Sequence, residues 1–304
     1  MKIAGAFSKS NVFTGHTGSV YALANASGSA FYSGGGDRLV ALWDLNKPDD
    51  GEVIARIPGI IYSLLPFDNE LLVGQVDGGI HVIGLENRTE KRLLKYHDSG
   101  VFGLFYEPLH HLIFSLSGDG MLGVIDASDL SLVKKLSLGT GKLRSVAVNP
   151  DATLLAVGAG DGSVYLFDLP DLKPVKHIQA HQEGFSVNAV EFSPDGHWLL
   201  TGSRDAHLKV FAVADDFKEL QSIPAHNYAI YSIEFHPEGN IFATASRDKT
   251  IKIWDAKTMN VLQRLDREKH DGHVNSVNKI IWHPAGTLIS ASDDRTVISW
   301  RINN

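Results

Sequence analysis

The sequence contains no cysteine. That excludes a disulfide framework, a zinc–thiolate centre and a cysteine nucleophile, and it is compatible with a reducing compartment. Nor is there an excess of basic charge. The 28 Lys and Arg stand against 35 Asp and Glu, for a formal net charge of −7, so bulk attraction to nucleic acid or to an anionic membrane is not expected. No uninterrupted apolar run reaches membrane-spanning length, and the opening MKIAGAFSKSNVF lacks the long apolar core of a signal peptide. Proline is scarce, 11 residues against 29 glycines, which suggests tight turns rather than a disordered linker. Stretches with apolar residues at i, i+3, i+4 and i+7 are missing as well, so no long amphipathic helix is expected. What remains is an ordinary apolar fraction of 43%, enough for a sizeable core. The expectation is a soluble, cytoplasmic protein built from strands.

Those strands come in a repeat. Seven segments align on one aspartate: FYSGGGDRLVALWD, LLVGQVDGGIHVIG, IFSLSGDGMLGVID, LAVGAGDGSVYLFD, LLTGSRDAHLKVFA, FATASRDKTIKIWD and LISASDDRTVISWR. The aspartates are Asp37, Asp77, Asp119, Asp161, Asp205, Asp248 and Asp294, at intervals of 40, 42, 42, 44, 43 and 46. This is the period of a four-stranded unit. In the sixth unit AIYSIEFHP, NIFATAS, TIKIWDA and NVLQRL read as the strands, with PEG and RDK at two of the corners. Equivalent turns are SPDG at Ser193–Gly196, NPDA at Asn149–Ala152 and HPAG at His283–Gly286. An isolated sheet of this kind would expose two apolar faces, and radial packing of seven covers them all. The sequence thus predicts an all-β, seven-bladed propeller over residues 1–304, as a single domain. The seventh unit runs out after its third strand, while a strand-like segment within Lys2–Phe13 precedes the first. The N-terminal segment is therefore expected to complete the last blade and close the ring without a covalent bond.

Certain dipeptides recur in this frame. GH or AH precedes the first strand at His16, His181, His226 and His273. WD ends the third strand at Trp43–Asp44 and Trp254–Asp255, weakening to FD at Phe167–Asp168 and ID at Ile125–Asp126. Across essentially its whole length the chain resembles the WD-repeat β-propellers. The resemblance implies a hydrogen-bonded tetrad of His, Ser or Thr, Asp and Trp within a unit. The complete sets are His16, Ser33, Asp37 and Trp43; His226, Thr244, Asp248 and Trp254; and His273, Ser290, Asp294 and Trp300. Unit three keeps His97, Ser115 and Asp119 but has Ile125, and unit five keeps His181, Thr201 and Asp205 with Phe211. Units two and four have Val73 and Val157 at the hydroxyl position and lack the His. The Asp persists in all seven, because its carboxylate can accept N–H bonds within its own turn.

A Ser, a His and an Asp in one network invite a hydrolase reading. The same constellation recurs in three units, however, which suits a scaffold element better than an active site. No catalytic residue is therefore assigned. The densest histidine cluster, REKHDGHVNS, leaves only His270 and Asp271 once His273 belongs to a tetrad, too few for a metal centre. The adjacent His110 and His111 lie in a turn, where neighbouring residues point apart. The glycine clusters SGGGD and GAGDG have neither a following helix nor the Lys-Ser/Thr of a phosphate loop, and read as tight turns. Neither a metal nor a cofactor is implied.

Function should then lie on exposed loops and strand ends. In WD-repeat proteins the face around the central opening most often takes partners. Its contact positions flank the first apolar residue of strand one and precede the turn Asp. Carried onto this sequence, they give Tyr21, Tyr62 and Phe102 from units one to three and Tyr231 from unit six. They also give Lys142, Arg144, Arg204 and Arg247 from units four to six. Aromatic residues and Arg are enriched at binding hot spots, so the pattern suggests an aromatic arc facing a basic arc. The bland alternative is that the aromatics line the channel and pack on each other. The leading expectation is a non-catalytic interaction scaffold for a protein or peptide partner. The alternative is a propeller that binds a small ligand or carries out hydrolysis in its channel, which would need carboxylates or histidines converging at the mouth. Nucleic acid binding suits the basic arc but not the net charge.

Overall fold

In a computed structural model, which describes residues 5–139 and 141–302, the chain forms seven four-stranded antiparallel sheets. Each of the first six blades is sequential, four neighbouring strands in chain order. In the sixth these are Ile230–Phe235, Ile241–Ser246, Ile251–Asp255 and Val261–Leu265, within a residue or two of the boundaries read from the sequence. The seventh comprises Val277–Trp282, Leu288–Ser292, Val297–Ile302 and, as its outermost strand, Phe7–Phe13 from the other end of the chain. Phe7 lies opposite Ile302 and Phe13 opposite Val297, with a bulge between Lys9 and Asn11. The ring is thus closed by main-chain hydrogen bonds and packing, as expected. Residues 2–4 of the predicted segment lie outside the described residues.

Seven apolar clusters hold the blades together, one at each interface between neighbours. The alternation of the strands places one apolar set on each side of every sheet, so no blade buries its faces alone. At the closing interface Phe13 packs edge-on against Phe31, at 4.9 Å between ring centroids, and against Trp43 at 5.7 Å. On the other face of blade seven, toward blade six, Phe7 meets Trp282 of its own sheet in the same way at 5.7 Å. Each fully buried Phe contributes about 1.5–3 kcal/mol relative to exposure.

The glycines of the second strand have a packing reason. A Cβ on Gly34, Gly74, Gly158 or Gly202 would come within 3.0 Å of Ile61, Val101, Val187 or Ile230 respectively. Each of these is the first apolar residue of the next blade, so the missing side chain is what lets successive blades approach. Helix is nearly absent among the described residues. It consists of one turn at Arg267–His270 and a 3₁₀ turn at Val213–Asp215.

Candidate functional site: the mouth of the central channel

Two sets of residues were singled out in the sequence, and the fold puts them in different surroundings. The tetrad residues are buried. In blade one the Trp43 indole N–H donates to Ser33 Oγ at 2.7 Å, the Ser33 hydroxyl lies 2.7 Å from His16 Nε2, and His16 Nδ1 lies 2.8 Å from Asp37 Oδ2. The indole can only donate and the carboxylate only accept. The hydroxyl therefore passes its proton toward Nε2, and the imidazole carries its own on Nδ1. Blade six repeats the chain through Trp254, Thr244, His226 and Asp248 at 2.9, 2.7 and 3.0 Å. Blade seven does so through Trp300, Ser290, His273 and Asp294 at 2.9, 2.8 and 2.9 Å. Blades three and five keep the shorter chains His97–Ser115–Asp119 and His181–Thr201–Asp205, with Ile125 and Phe211 buried where the Trp would be. In all seven blades the Asp Oδ1 also accepts the N–H two residues on, at 2.9 to 3.3 Å.

Burial opposes ionisation of Asp248, but the hydrogen bond and charge of His226, the Thr250 hydroxyl and the Asn227 N–H outweigh it. The carboxyl is held well below the usual range. Asp294 is held down likewise by His273, Thr296 and Val274 against its burial. Burial lowers the His226 pKa, with its Asp248 partner acting in the opposite direction. Each hydroxyl of the complete tetrads is 0% exposed and already holds two partners, which leaves no path to an external substrate.

Blades two and four fill the gap differently. In blade two the Gln75 side chain accepts the Gly59 N–H at 3.0 Å. In blade four His177 Nε2 lies 2.8 Å from Ser163 Oγ, with the ring stacked on Tyr165 at 4.7 Å. His110 and His111 do diverge, toward Glu107 at 2.8 Å and Tyr106 at 3.4 Å. Asp271 pairs with Lys9 and Arg267, and among the described residues no group of three or more His, Asp or Glu is arranged to hold a metal.

The second set lines one space. Tyr21, Tyr62, Phe102, Lys142, Arg144, Arg204, Tyr231 and Arg247 all border the central cavity, whose volume is about 1080 Å³. Their convergence has a local cause. In six blades the residue before the turn Asp donates its backbone N–H to the residue that precedes the first apolar position of strand one. Examples are Arg204 to Ser186 and Arg247 to Ala229, both at 2.9 Å. This bond fixes both loops at the same end of the channel.

Within the mouth the aromatics touch one another. Tyr21 and Tyr62 are 5.6 Å apart between centroids, and Tyr62 and Phe102 are 5.0 Å apart. The Arg144 guanidinium lies over the Phe102 ring at 4.6 Å, and Lys142 Nζ lies 6.0 Å from the same ring. Aromatic and basic arcs therefore meet edge to edge at Phe102 rather than standing apart. Burial lowers the Arg144 pKa while Tyr231 and Tyr62 oppose that, and burial raises Tyr62. Arg204, Arg247 and Lys142 are exposed, and the three tyrosines are half-buried.

The wall also carries charges that the sequence reading missed. Lys279 Nζ donates to Glu234 Oε1 at 2.7 Å, and Glu191 stands beside this pair. Burial, then repulsion from Glu234, push the Glu191 carboxyl well above the ordinary range, against the attraction of Lys279. The signal was present in the text of the repeat: VNAVEF and IYSIEF place a Glu at the same register of two consecutive units.

Comparison with known proteins follows the same lines. The family model described as "Echinoderm microtubule-associated protein second beta-propeller" matches residues 101–263, more than half of the chain. That of the "WD domain, G-beta repeat" matches residues 7–44 and 264–301. Among curated relatives, WD repeat-containing protein 81 of Rattus norvegicus is 29% identical over 71% of this chain and 12% of its own length. Striatin-4 of Homo sapiens is 26% identical over 71% and 31%, and Protein groucho of Drosophila melanogaster 24% identical over 58% and 25%. The chain thus spans under a third of the length of these relatives. Seven closed blades, their recurring His–Ser/Thr–Asp chains and the matched models make this chain a member of the WD-repeat β-propeller family.

Proposed function

We propose that the chain is a non-catalytic binding scaffold that presents the channel mouth to a protein or peptide, with the tetrads serving only to hold the blades. The observation that carries this reading is the convergence of Tyr21, Tyr62, Phe102, Arg144, Arg204 and Arg247 on one cavity of about 1080 Å³. Aromatic and Arg side chains are the residue types that dominate binding energy. A closed ring fixes them beforehand, so little freedom is lost on association. Neither nucleic acid nor a membrane is the proposed partner, because the chain is acidic as a whole.

One observation favours the alternative of a small ligand or hydrolysis inside the channel. Glu191 and Glu234 are carboxylates in the channel wall, one with a raised pKa suited to a general acid. Against it, Glu234 is committed to Lys279 at 2.7 Å, and no histidine is among the described residues that line the cavity. Capture of partners by wild type, Tyr62→Ala and Arg247→Ala separates the readings. The scaffold requires both variants to stay folded and lose partner by about thirtyfold, the equivalent of about 2 kcal/mol at an anchor. Full retention by both contradicts it.

A further inference from the structure

Most cations of the mouth form no ion pair, although Asp293 borders the same cavity, where it accepts from the Asn278 amide at 2.8 Å. Five cationic side chains border the cavity, and Lys279 is paired with Glu234. Among the described residues no carboxylate comes within ion-pair distance of Lys142, Arg144, Arg204 or Arg247. This is unexpected on a chain with 35 acidic residues against 28 basic ones. Elsewhere on the surface Lys91 holds Glu70 at 2.9 Å and Lys173 holds Asp171 at 2.7 Å. The four cations come from three adjacent blades and border one concave opening, where their fields add. Arg144 is moreover partly desolvated, held on the Phe102 face at 4.6 Å.

Resting on the reading of the mouth as the binding face, we infer that its occupant is a phosphorylated peptide segment. Its phosphate lies against Arg144, Arg204 and Arg247, and a flanking apolar side chain lies on the Tyr21–Tyr62–Phe102 arc. A single carboxylate supplies one negative charge and two oxygens. A phosphate monoester supplies about 1.5–2 charges and three strong acceptors. Guanidinium forks from separate blades can each take a different oxygen edge. The adjoining aromatic arc gives the rest of the segment an apolar surface, which a free phosphate ion does not need.

The test uses immobilised nine-residue degenerate peptides with a fixed central phosphoserine or phosphothreonine. The same sets without phosphate, and with Glu in its place, serve as controls, and a single-stranded 12-mer oligonucleotide is the competitor. Arg204→Gln and Arg247→Gln are suitable variants because both side chains are exposed, and unchanged melting verifies their folding. The phosphopeptide sets should be captured at least about tenfold better than the unphosphorylated ones. Each substitution should weaken capture about tenfold, the effect of losing one charge-assisted hydrogen bond. Equal capture of all sets, insensitivity to both substitutions, or preferential displacement by the oligonucleotide overturns the inference. Partner capture that needs Tyr62 and Arg247 yet survives phosphatase treatment would leave the scaffold standing and remove the phosphate alone. Indifference to Tyr62, Arg204 and Arg247 together removes both.

Discussion

The substitution Asp248→Ala measures what a tetrad is worth, and Asp77→Ala supplies the comparison. Asp248 accepts four hydrogen bonds, from His226 Nδ1, Asn227 N and Thr250 N, each at 3.0 Å, and from Thr250 Oγ1 at 2.6 Å. The His226 side chain is 0% exposed, so its Nδ1–H would be stranded away from water. A stranded buried donor costs about 1–3 kcal/mol, and bonds to a charged acceptor contribute about 1.5–3 kcal/mol each without adding linearly. Two effects limit the loss. Asn227 is exposed and can turn to water, and the Thr250 hydroxyl already lies 3.3 Å from His226 Nδ1. The expected cost is therefore about 2–4 kcal/mol. Asp77 is exposed, and its side chain accepts the Gly79 N–H alone, at 3.3 Å. Its loss should cost about 1 kcal/mol or less.

With an unfolding entropy of about 2.1 cal/mol/K per residue, the 304 residues give about 0.6 kcal/mol/K. The expected drops in Tm are then about 3–6 °C for Asp248→Ala and under about 2 °C for Asp77→Ala. Differential scanning calorimetry at matched pH resolves this gap. Asp248→Asn keeps one acceptor oxygen and should fall between the two. Equal losses for Asp248→Ala and Asp77→Ala would refute the view that the hydrogen-bond chain, rather than the turn alone, makes the aspartate valuable.

Other perturbations probe closure and charge. Deleting residues 1–13 removes the outermost strand of blade seven and should expose the Val297–Ile302 edge, so solubility and Tm should fall sharply; unchanged melting and solubility would refute closure by that strand. The Asp248 and Asp294 carboxyls are depressed in the fold. Their contribution is present above the unfolded carboxylate pKa of about 4 and is lost as pH falls below it. The penalty of Asp248→Ala should therefore shrink in acid, and a penalty independent of pH contradicts the tetrad electrostatics. Glu191 has the opposite sign, being raised in the fold, so its contribution is lost as pH rises from the ordinary carboxylate range. Glu191→Gln should raise Tm relative to wild type more at pH 8 than at pH 4.5, and an equal difference at both would contradict it.

Much of this was legible because the chain repeats itself. A period of about 40 to 46 residues fixed on Asp37 through Asp294, together with turn residues at constant offsets, leaves little room for another architecture. The clasp was readable because the seventh unit runs short by one strand. The tetrad hydrogen bonds follow from donor and acceptor valence once the register is known. Less accessible was anything depending on neighbours across the channel. Glu191, Glu234 and Lys279 belong to three different units and meet only because the ring brings them together. The contact between Phe102 and Arg144 likewise depends on which blade follows which and on how far each side chain reaches. The helical turn at Arg267–His270 is held by local contacts, Asp266 accepting the Lys269 N–H at 2.9 Å and the Arg267–Asp271 pair. Four residues are too few for a periodicity signal.

The central claim is that one end of the channel binds while the rest of the ring supports it. Hydrogen-exchange mapping of the full chain, with and without a captured partner, addresses it directly. The account predicts added protection in the segments around Tyr21, Tyr62, Phe102, Arg204, Tyr231 and Arg247, the residues that share the cavity. It predicts no change in the outer strands Thr89–Lys95, Leu132–Ser137 and Pro174–Gln179. Protection confined to those outer strands, with the mouth exchanging as in the free chain, would contradict it.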